Sequence, residues 1–310
     1  MELINLSYND YKKNSEPIVA TIGQFDGLHI AHLTLIKKTL DISKEKNIKS
    51  AIITFDPHPD FVLKKDNSNT YVTPLDEKIS LLENIGIDYM FIVKFDLSIA
   101  NLEPIDFINK ILIDNNVTDV IVGFDFSFGK FGKGKAKDIS NLSNNLIKTI
   151  IIDEMRYNEE KIGTTLIKKL LKEGYVKDVF KILGRYYKLS GRVTNGNKIG
   201  RTLNLPTANL KVNEEFANIK PGVYVVRIKI KEDFYFGFAN LGHNPSFNES
   251  KNMIFETHIF DFNDDLYSKE IEVELLDFIR EEIKFASKED FLKQIQKDKE
   301  FAKNFIKKFY

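Results

Sequence analysis

The chain has 310 residues, 43% of them hydrophobic and 29% charged, with 45 basic side chains against 45 acidic ones. That length exceeds what a single hydrophobic core usually serves and implies two domains. The zero net charge lacks the basic footprint of a nucleic-acid binder, and the absence of cysteine excludes disulfides, thiolate metal centres and cysteine nucleophiles.

In chain order, Met1 to Tyr11 shows no charged-then-apolar leader pattern, and no apolar run anywhere reaches the ~18 residues of a membrane span. A cytoplasmic protein with no membrane partner is expected. Ile18 to Ile22 is a short apolar run ending at Gly23, the mark of a buried strand. Leu33, Ile36 and Leu40 recur at helical spacing. Ala51 to Phe55 reads as a strand stopped by Asp56-Pro57-His58-Pro59. Ile79, Leu82 and Ile85 mark a helix with Gly86 as its expected cap. Tyr89 to Phe95 is a strand, and Ile105, Ile108 and Leu112 mark a helix with Pro104 near its start. Val117 to Val122 and Lys148 to Ile152 are further strands. This alternation predicts an α/β fold, a doubly wound parallel sheet with ligands beyond the carboxyl ends of its strands.

Leu166 to Leu183 reads as helix and is assigned to the tail of the first domain. Near Gly184 the pattern changes. Tyr187 to Thr194, Val223 to Ile230, Phe234 to Leu241, Ile254 to Phe260 and Ile271 to Phe278 are strand-like, which predicts a small antiparallel β-barrel. Ser287 to Phe309 closes the chain as an amphipathic helix, with Phe291, Ile295, Ala302, Phe305 and Phe309 along one side. The expected domains are residues 1–183 and 184–310.

The sharpest chemical signal is Gly23-Gln24-Phe25-Asp26-Gly27-Leu28-His29-Ile30-Ala31-His32, between a strand and a helix. Glycines admit close approach of a phosphate, and the helix start offers unpaired N–H groups and a positive dipole end. His29 and His32, three apart, face one ligand from the first turn. There they can stabilise charge on a phosphate undergoing nucleotidyl transfer. An isolated H-x-x-H is more often a pair of capping or surface histidines; its place between strand and helix reverses that preference towards the phosphate reading, and two histidines alone are a weak zinc signal. Gly129 to Ala136 nearly fits a G-x-x-x-x-G-K-[ST] phosphate loop, but Ala136 has no hydroxyl for magnesium. Its lysines, Lys130, Lys133 and Lys135, with Lys137 beyond, are read as a basic loop able to attract a phosphorylated small molecule.

In the second half, Gly191-Arg192-Val193, Gly196 and Gly200-Arg201-Thr202-Leu203-Asn204-Leu205-Pro206-Thr207-Ala208-Asn209 are read as a loop whose glycines and basic residues, Gly191, Gly200 and Arg201 among them, suit phosphate. Thr207 and Asn209 supply hard oxygen ligands for magnesium. Alone, the stretch is equally an ordinary turn between strands. Glu256 stands in the apolar run Ile254 to Phe260, where a carboxylate facing a core without a partner is costly; the alternative is a solvent-facing Glu on the open side of a sheet.

Together these stretches resemble the bacterial bifunctional riboflavin kinase/FAD synthetase family. Gln24 to His29, Thr54 to Pro59 and Val122 to Gly129 match its first half in order, and His29 to His32 resembles the H-x-G-H signature of nucleotidyltransferases. Gly200 to Asn209, Gly222-Val223-Tyr224, Ala239 to Gly242, Asp265-Leu266-Tyr267 and Ile279 to Glu282 match its second half. The resemblance implies an N-terminal Rossmann-like nucleotidyltransferase domain that adenylylates FMN to FAD, and a C-terminal riboflavin kinase barrel that makes FMN from riboflavin, ATP and Mg2+. It implies that His29 and His32 are catalytic, and that Gly23, Phe25, Asp26, Gly27, Thr164, Thr165 and Lys168 contact ATP. Pro57, His58, Asp125 and Arg280 fall to the flavin, and Glu256 is the implied kinase base. The substrates are small molecules.

The chain departs from the family's usual I-S-S-T-x-I-R, carrying Ile162-Gly163-Thr164-Thr165-Leu166-Ile167-Lys168, and Ala31 replaces the Gly of H-x-G-H. With both histidines and the Gln24 to Gly27 loop kept, FAD synthesis is expected to survive as the weaker activity. A kinase with a degenerate first domain, or a non-enzymatic flavin binder, are the rival readings.

Overall fold

The computed structural model describes residues 1–9, 14–66, 69–194, 207–212, 215–243, 253–262 and 264–309. The chain divides into two compact units, Met1–Thr164 and Thr165–Tyr310.

In the first unit the elements run β1 (Glu2–Leu6), β2 (Ile18–Ile22), α1 (Ile30–Lys46), β3 (Lys49–Asp56), α2 (Pro59–Val62), α3 (Leu75–Glu83), β4 (Tyr89–Lys94), α4 (Leu97–Ala100), α5 (Pro104–Phe107), β5 (Val117–Gly123), β6 (Ser127–Phe128), β7 (Gly134–Lys135), α6 (Ile139–Leu142), β8 (Lys148–Ile152), β9 (Arg156–Tyr157) and β10 (Glu160–Lys161). A π-helical stretch, Ile108–Ile113, continues α5. Six strands form a parallel sheet in the order β1-β4-β3-β2-β5-β8. Every residue of β2 is buried because both faces of the sheet are covered. Ile18, Ala20 and Ile22 enter one core and Val19 the other. That two-sided burial is why the strand is a continuous apolar run rather than an alternating one. After β2 the chain winds outward through β3 to β4, then returns to β5 on the other side. The sheet therefore has its topological switch between β2 and β5. The edge strand β1 escapes the sequence reading, since Glu2, Leu3 and Asn5 are exposed and only Leu6 is fully buried. The C-cap of α3 is Asn84, two residues before the expected Gly86.

The second unit holds α7 (Thr164–Glu173, whose first residue belongs to the first unit), α8 (Val176–Leu183), β11 (Tyr187–Thr194), β12 (Thr207–Val212), β13 (Gly222–Ile230), β14 (Asp233–His243), β15 (Met253–Ile259), β16 (Glu270–Arg280) and α9 (Lys288–Phe309). The expected single helix is two, broken at Gly174 with φ +84°. Both helices, Thr164 apart, belong to the second compact unit. Helix α8 packs on β11 and β16, and Lys220 N–H donates to the Leu171 carbonyl at 3.0 Å.

The barrel closes with six strands, β11-β12-β15-β14-β13-β16, where five are expected. The added strand is β12, read from sequence as part of a loop. It alternates as a strand should: Leu210 and Val212 are buried while Lys211 is exposed. Helix α9 covers one side of the barrel, where Ile295 and Ala302 join Val223, Val225, Phe238 and Leu276.

Candidate active sites

The site of the first unit begins where β2 ends. Gly23 N–H bonds back to the Ile53 carbonyl at 3.1 Å, so the chain leaves the sheet beside β3. The turn that follows needs three positive φ angles, Phe25 (+52°), Gly27 (+86°) and Leu28 (+41°). At His29 the backbone becomes extended, and its Nδ1 accepts the His32 N–H at 3.3 Å, which caps α1. The two imidazoles stack with centroids 3.6 Å apart and planes 15° from parallel. Phe25 meets His32 edge-on at 5.1 Å.

Removal from water, with His29 and Lys78 nearby, holds His32 well below the usual histidine range. It is a neutral ring at physiological pH, and its buried Nδ1 has no protein partner. With His32 neutral, the pair does not carry two full charges.

Around these residues lies a cavity of about 490 Å³, within the range of small-molecule sites. It sits at the switch point. Ile22, Gly23, Gln24 and Phe25 come from the end of β2, His29, Ala31 and His32 from α1, and Phe55, Pro59 and Asp60 from β3 and α2. Gly123 to Ser127 follow β5, and Ile152 to Met155 with Lys161 to Thr164 complete the wall. Gly23, Phe25, His29, His32, Asp125 and Thr164 of the expected set are thus brought together.

Others serve the frame. The Asp26 carboxylate is turned away from the cavity and accepts the N–H groups of Val72 (3.2 Å) and Thr73 (2.9 Å). Gly27 supplies the turn. Pro57 and His58 are not among the lining residues, and His58 caps α2 by accepting the Asp60 N–H at 3.1 Å. Thr165 and Lys168 lie on α7, within the second unit. Asp125 pairs with Lys161, whose ammonium also lies 5.1 Å from the centre of the Phe124 ring. Lys161, Phe126 and Met155 line the cavity although sequence reasoning did not single them out; the Gly-Phe-Asp-Phe-Ser-Phe run was the available signal for Phe126. The Gly129–Ala136 loop passes from β6 to β7, a two-stranded hairpin, not from a sheet strand to a helix, so it has no phosphate-loop geometry.

In the second unit, Gly196, Gly200 and Arg201 lie outside the described residues. Thr207 is described only as the first residue of β12, paired with His258. The adjoining register is informative. Asn209 on β12 stands opposite Glu256 on β15, and Glu256 stands opposite Asn240 on β14. Directly opposite residues share a sheet face, so these three polar side chains form one row on the outer face of the barrel. The inward partners in the next row, Leu210, Phe255 and Leu241, are buried. Glu256 therefore escapes the core, and its solvent-accessible side chain fits the open-face alternative. The chain around it nevertheless removes enough water from its carboxyl to raise its pKa. Asn209 is 8% exposed. Its neighbour His258 stacks on Phe238 at 4.6 Å, and burial pushes its pKa down to about 4.

Two expected ligands have other duties here. Gly191 is not in a loop: it pairs with Val212 and Ile271 inside the barrel wall. A Cβ there would lie 2.2 Å from the Lys211 carbonyl oxygen. Arg280 grips Asp298 of α9 with Nε (3.0 and 3.1 Å) and a terminal nitrogen (2.7 Å), tying β16 to that helix.

Among the described residues no cluster of three His, Cys, Asp or Glu side chains is placed to hold a metal. An ion bound through one or two neutral oxygens and substrate phosphates needs no such cluster. The Asn209 carboxamide beside Glu256 fits that kind of magnesium site.

Two family models match the chain, FAD synthetase over residues 11–166 and riboflavin kinase over residues 183–306. The bifunctional riboflavin kinase/FMN adenylyltransferase of Listeria monocytogenes is 34% identical, over 94% of this chain and 93% of that one. Its namesake in Bacillus subtilis is 33% identical over 97% of each chain. The one from Buchnera aphidicola of Schizaphis graminum is 38% identical over 99% of each. A crystal structure from Streptococcus pneumoniae, described as a macrolide-efflux protein, superposes with a TM-score of 0.89 at 28% identity, covering 97% of this chain and 99% of that one. No helix among the described residues is long and apolar enough to cross a membrane.

Proposed function

Since the chain belongs to the bifunctional riboflavin kinase/FMN adenylyltransferase family, phosphorylating riboflavin and adenylylating FMN, we propose how its residues divide that work. The observation that carries the division is the separation of the two polar sites. The imidazole-lined cavity lies wholly in the first compact unit, and the Asn209–Glu256–Asn240 row lies wholly in the second.

For the kinase, Glu256 accepts the proton of the terminal ribityl hydroxyl as that oxygen attacks the γ-phosphorus of ATP and ADP leaves. A carboxyl whose pKa is raised is a better base for an alcohol than a fully hydrated one. Asn209 and Thr207 are the residues that would hold Mg2+, which supplies charge neutralisation on the phosphates. Gly200 and Arg201 remain proposed phosphate contacts, while Gly191 is assigned to the barrel wall and Arg280 to orienting the segment after β16 through Asp298.

For the adenylyltransferase, an FMN phosphate oxygen attacks the α-phosphorus of ATP and pyrophosphate leaves. His29, His32 and the N–H groups of the Gly23–Gly27 turn offset the charge that builds there. Thr164 donates its hydroxyl to the Asp26 carbonyl at 3.2 Å, bracing that turn. Phe126, Pro59 and Asp125 form the flavin side, and Thr165 and Lys168 are further proposed ATP contacts. The substrates are small molecules; neither nucleic acid nor membrane enters this reading, and the setting is the cytoplasm.

Riboflavin incubated with magnesium-ATP, with flavins separated by chromatography, tests the whole. FMN followed by FAD and pyrophosphate is expected. FMN without FAD at high FMN and ATP would reduce the first unit to a nucleotide-binding remnant.

A further inference from the structure

Beneath the Gly23–Gly27 turn lies a lysine that the reaction above does not use. Lys78, on α3, is 2% exposed. Its ammonium donates to the Gln24 carbonyl at 2.8 Å, which also accepts the Thr54 hydroxyl at 3.1 Å. The Gln24 side chain reaches back to the Phe55 carbonyl at 2.9 Å. Two bonds, one from α3 and one from β3, therefore fix the Gln24–Phe25 peptide plane, and the third anchors the Gln24 side chain to β3. A trans peptide is planar with its C=O and N–H on opposite edges. The carbonyl held toward Lys78 thus leaves the Phe25 N–H on the far edge, and Gln24 and Phe25 both line the cavity.

A buried ammonium is costly unless paired. The groups that face it are Asp26 from the turn and Asp56 from the end of β3, which favour its charge, while His32 of α1 feels that charge from above. Desolvation outweighs the two carboxylates and brings Lys78 down to about 8. For a bolt between a helix and a loop, a leucine or methionine would serve at less expense. A cation kept under an anion-binding turn does more.

We propose that Lys78 is a positioning residue for adenylyl transfer: it holds the Gln24 carbonyl so that the Phe25 N–H meets the nucleotide phosphates, and its charge adds to the positive potential beneath them. The proposal rests on the adenylyltransferase reading of the first unit.

The test uses the full chain and the variants K78M and K78R, with FAD formation from FMN and ATP followed from pH 7 to 10. Riboflavin phosphorylation is measured on the same preparations. K78M is expected to lower kcat for FAD formation about 10²-fold, the scale of a misplaced contact group, with phosphorylation unchanged. In the unaltered protein adenylylation should fall as pH rises past about 8, the side on which the lysine becomes neutral. K78M should lack that alkaline limb. K78R, charged throughout, should shift it upward; if arginine does not fit the buried site, the comparison with K78M alone decides. A purely structural lysine would lower the yield of folded protein and leave the limb where it was. Wild-type kcat in K78M, or the same limb in K78M, overturns the proposal. If the unaltered protein makes no FAD at all, the adenylyltransferase reading fails and takes this proposal with it.

Discussion

At the scale of single residues, the same chemical type behaves differently by position, and this sets three expectations. Glu256 keeps access to water on the outer face while its pKa is raised. A general base works only when ionised, so phosphorylation should decline on the acid side at a higher pH than an ordinary glutamate would give. Glu256→Gln should remove that limb and lower FMN formation by ~10²–10⁴-fold; near-normal turnover would dismiss it as the base. His32 is the opposite case. Its neutral form is favoured by burial, so adenylylation should show no step near pH 6.5 from this ring, and replacing His29 and His32 with Ala should abolish FAD formation while FMN formation persists. Gly163 tests the departure from the family pattern. A Cβ at this position would meet nothing within 4 Å, and the residue directly precedes the first residue of α7. Serine there is sterically free and a better cap than glycine by a few tenths of a kcal/mol. Gly163→Ser should therefore raise the melting temperature slightly without lowering FAD formation, and a clear loss of FAD formation would show that the cavity needs a bare backbone at that point.

At the scale of elements, the strands with two covered faces were legible as apolar runs. Ile18–Ile22 falls where the pattern puts it, because burial on both sides admits little else; Lys148–Ile152 also falls where expected, although it is an edge strand with none of its residues buried. The strand β12 was not legible in the same way. Its outward residues, Asn209 and Lys211, are polar and its inward ones are few, so Thr-Ala-Asn-Leu-Lys-Val reads as loop until its neighbours β11 and β15 are known. The candidate kinase site suffers from the same limit: a motif can name Asn209 and Glu256, but only strand register places them side by side. Gly191 illustrates a related limit. A glycine beside an arginine suggests phosphate, whereas here two strands cross too closely for a side chain. Gly191→Ala would place a methyl 2.2 Å from the Lys211 oxygen, in a wall that cannot yield without breaking its ladder. A loss of about 3 kcal/mol is expected from such overpacking, read by urea unfolding, with phosphorylation falling because the fold fails. Unchanged stability would mean that β11 and β12 are free to separate.

At the scale of the whole molecule, two activities on two compact units should be separable, and the place of the cut decides whether the kinase survives alone. The change of pattern near Gly184 suggests a fragment starting there, at the first barrel strand. The packing argues for an earlier start. Val176, Val179, Ile182 and Leu183 of α8 are all at most 1% exposed, and α8 lies on β11 and β16. Gly174 continues this seam, where a Cβ would lie 3.1 Å from Lys220 Cδ and 3.5 Å from the Phe278 ring. Each buried aliphatic side chain contributes about 1.5–3 kcal/mol, comparable in sum to the entire net stability of a typical domain. Removing α7 and α8 would also uncover the barrel surface they protect. A fragment of residues 165–310 should therefore be soluble, unfold cooperatively and phosphorylate riboflavin at the rate of the full chain. One of residues 184–310 should be less stable by several kcal/mol or insoluble. Equal melting temperatures and equal kinase rates for the two fragments would show that the helices add nothing to the barrel, and would return the functional boundary to residue 184.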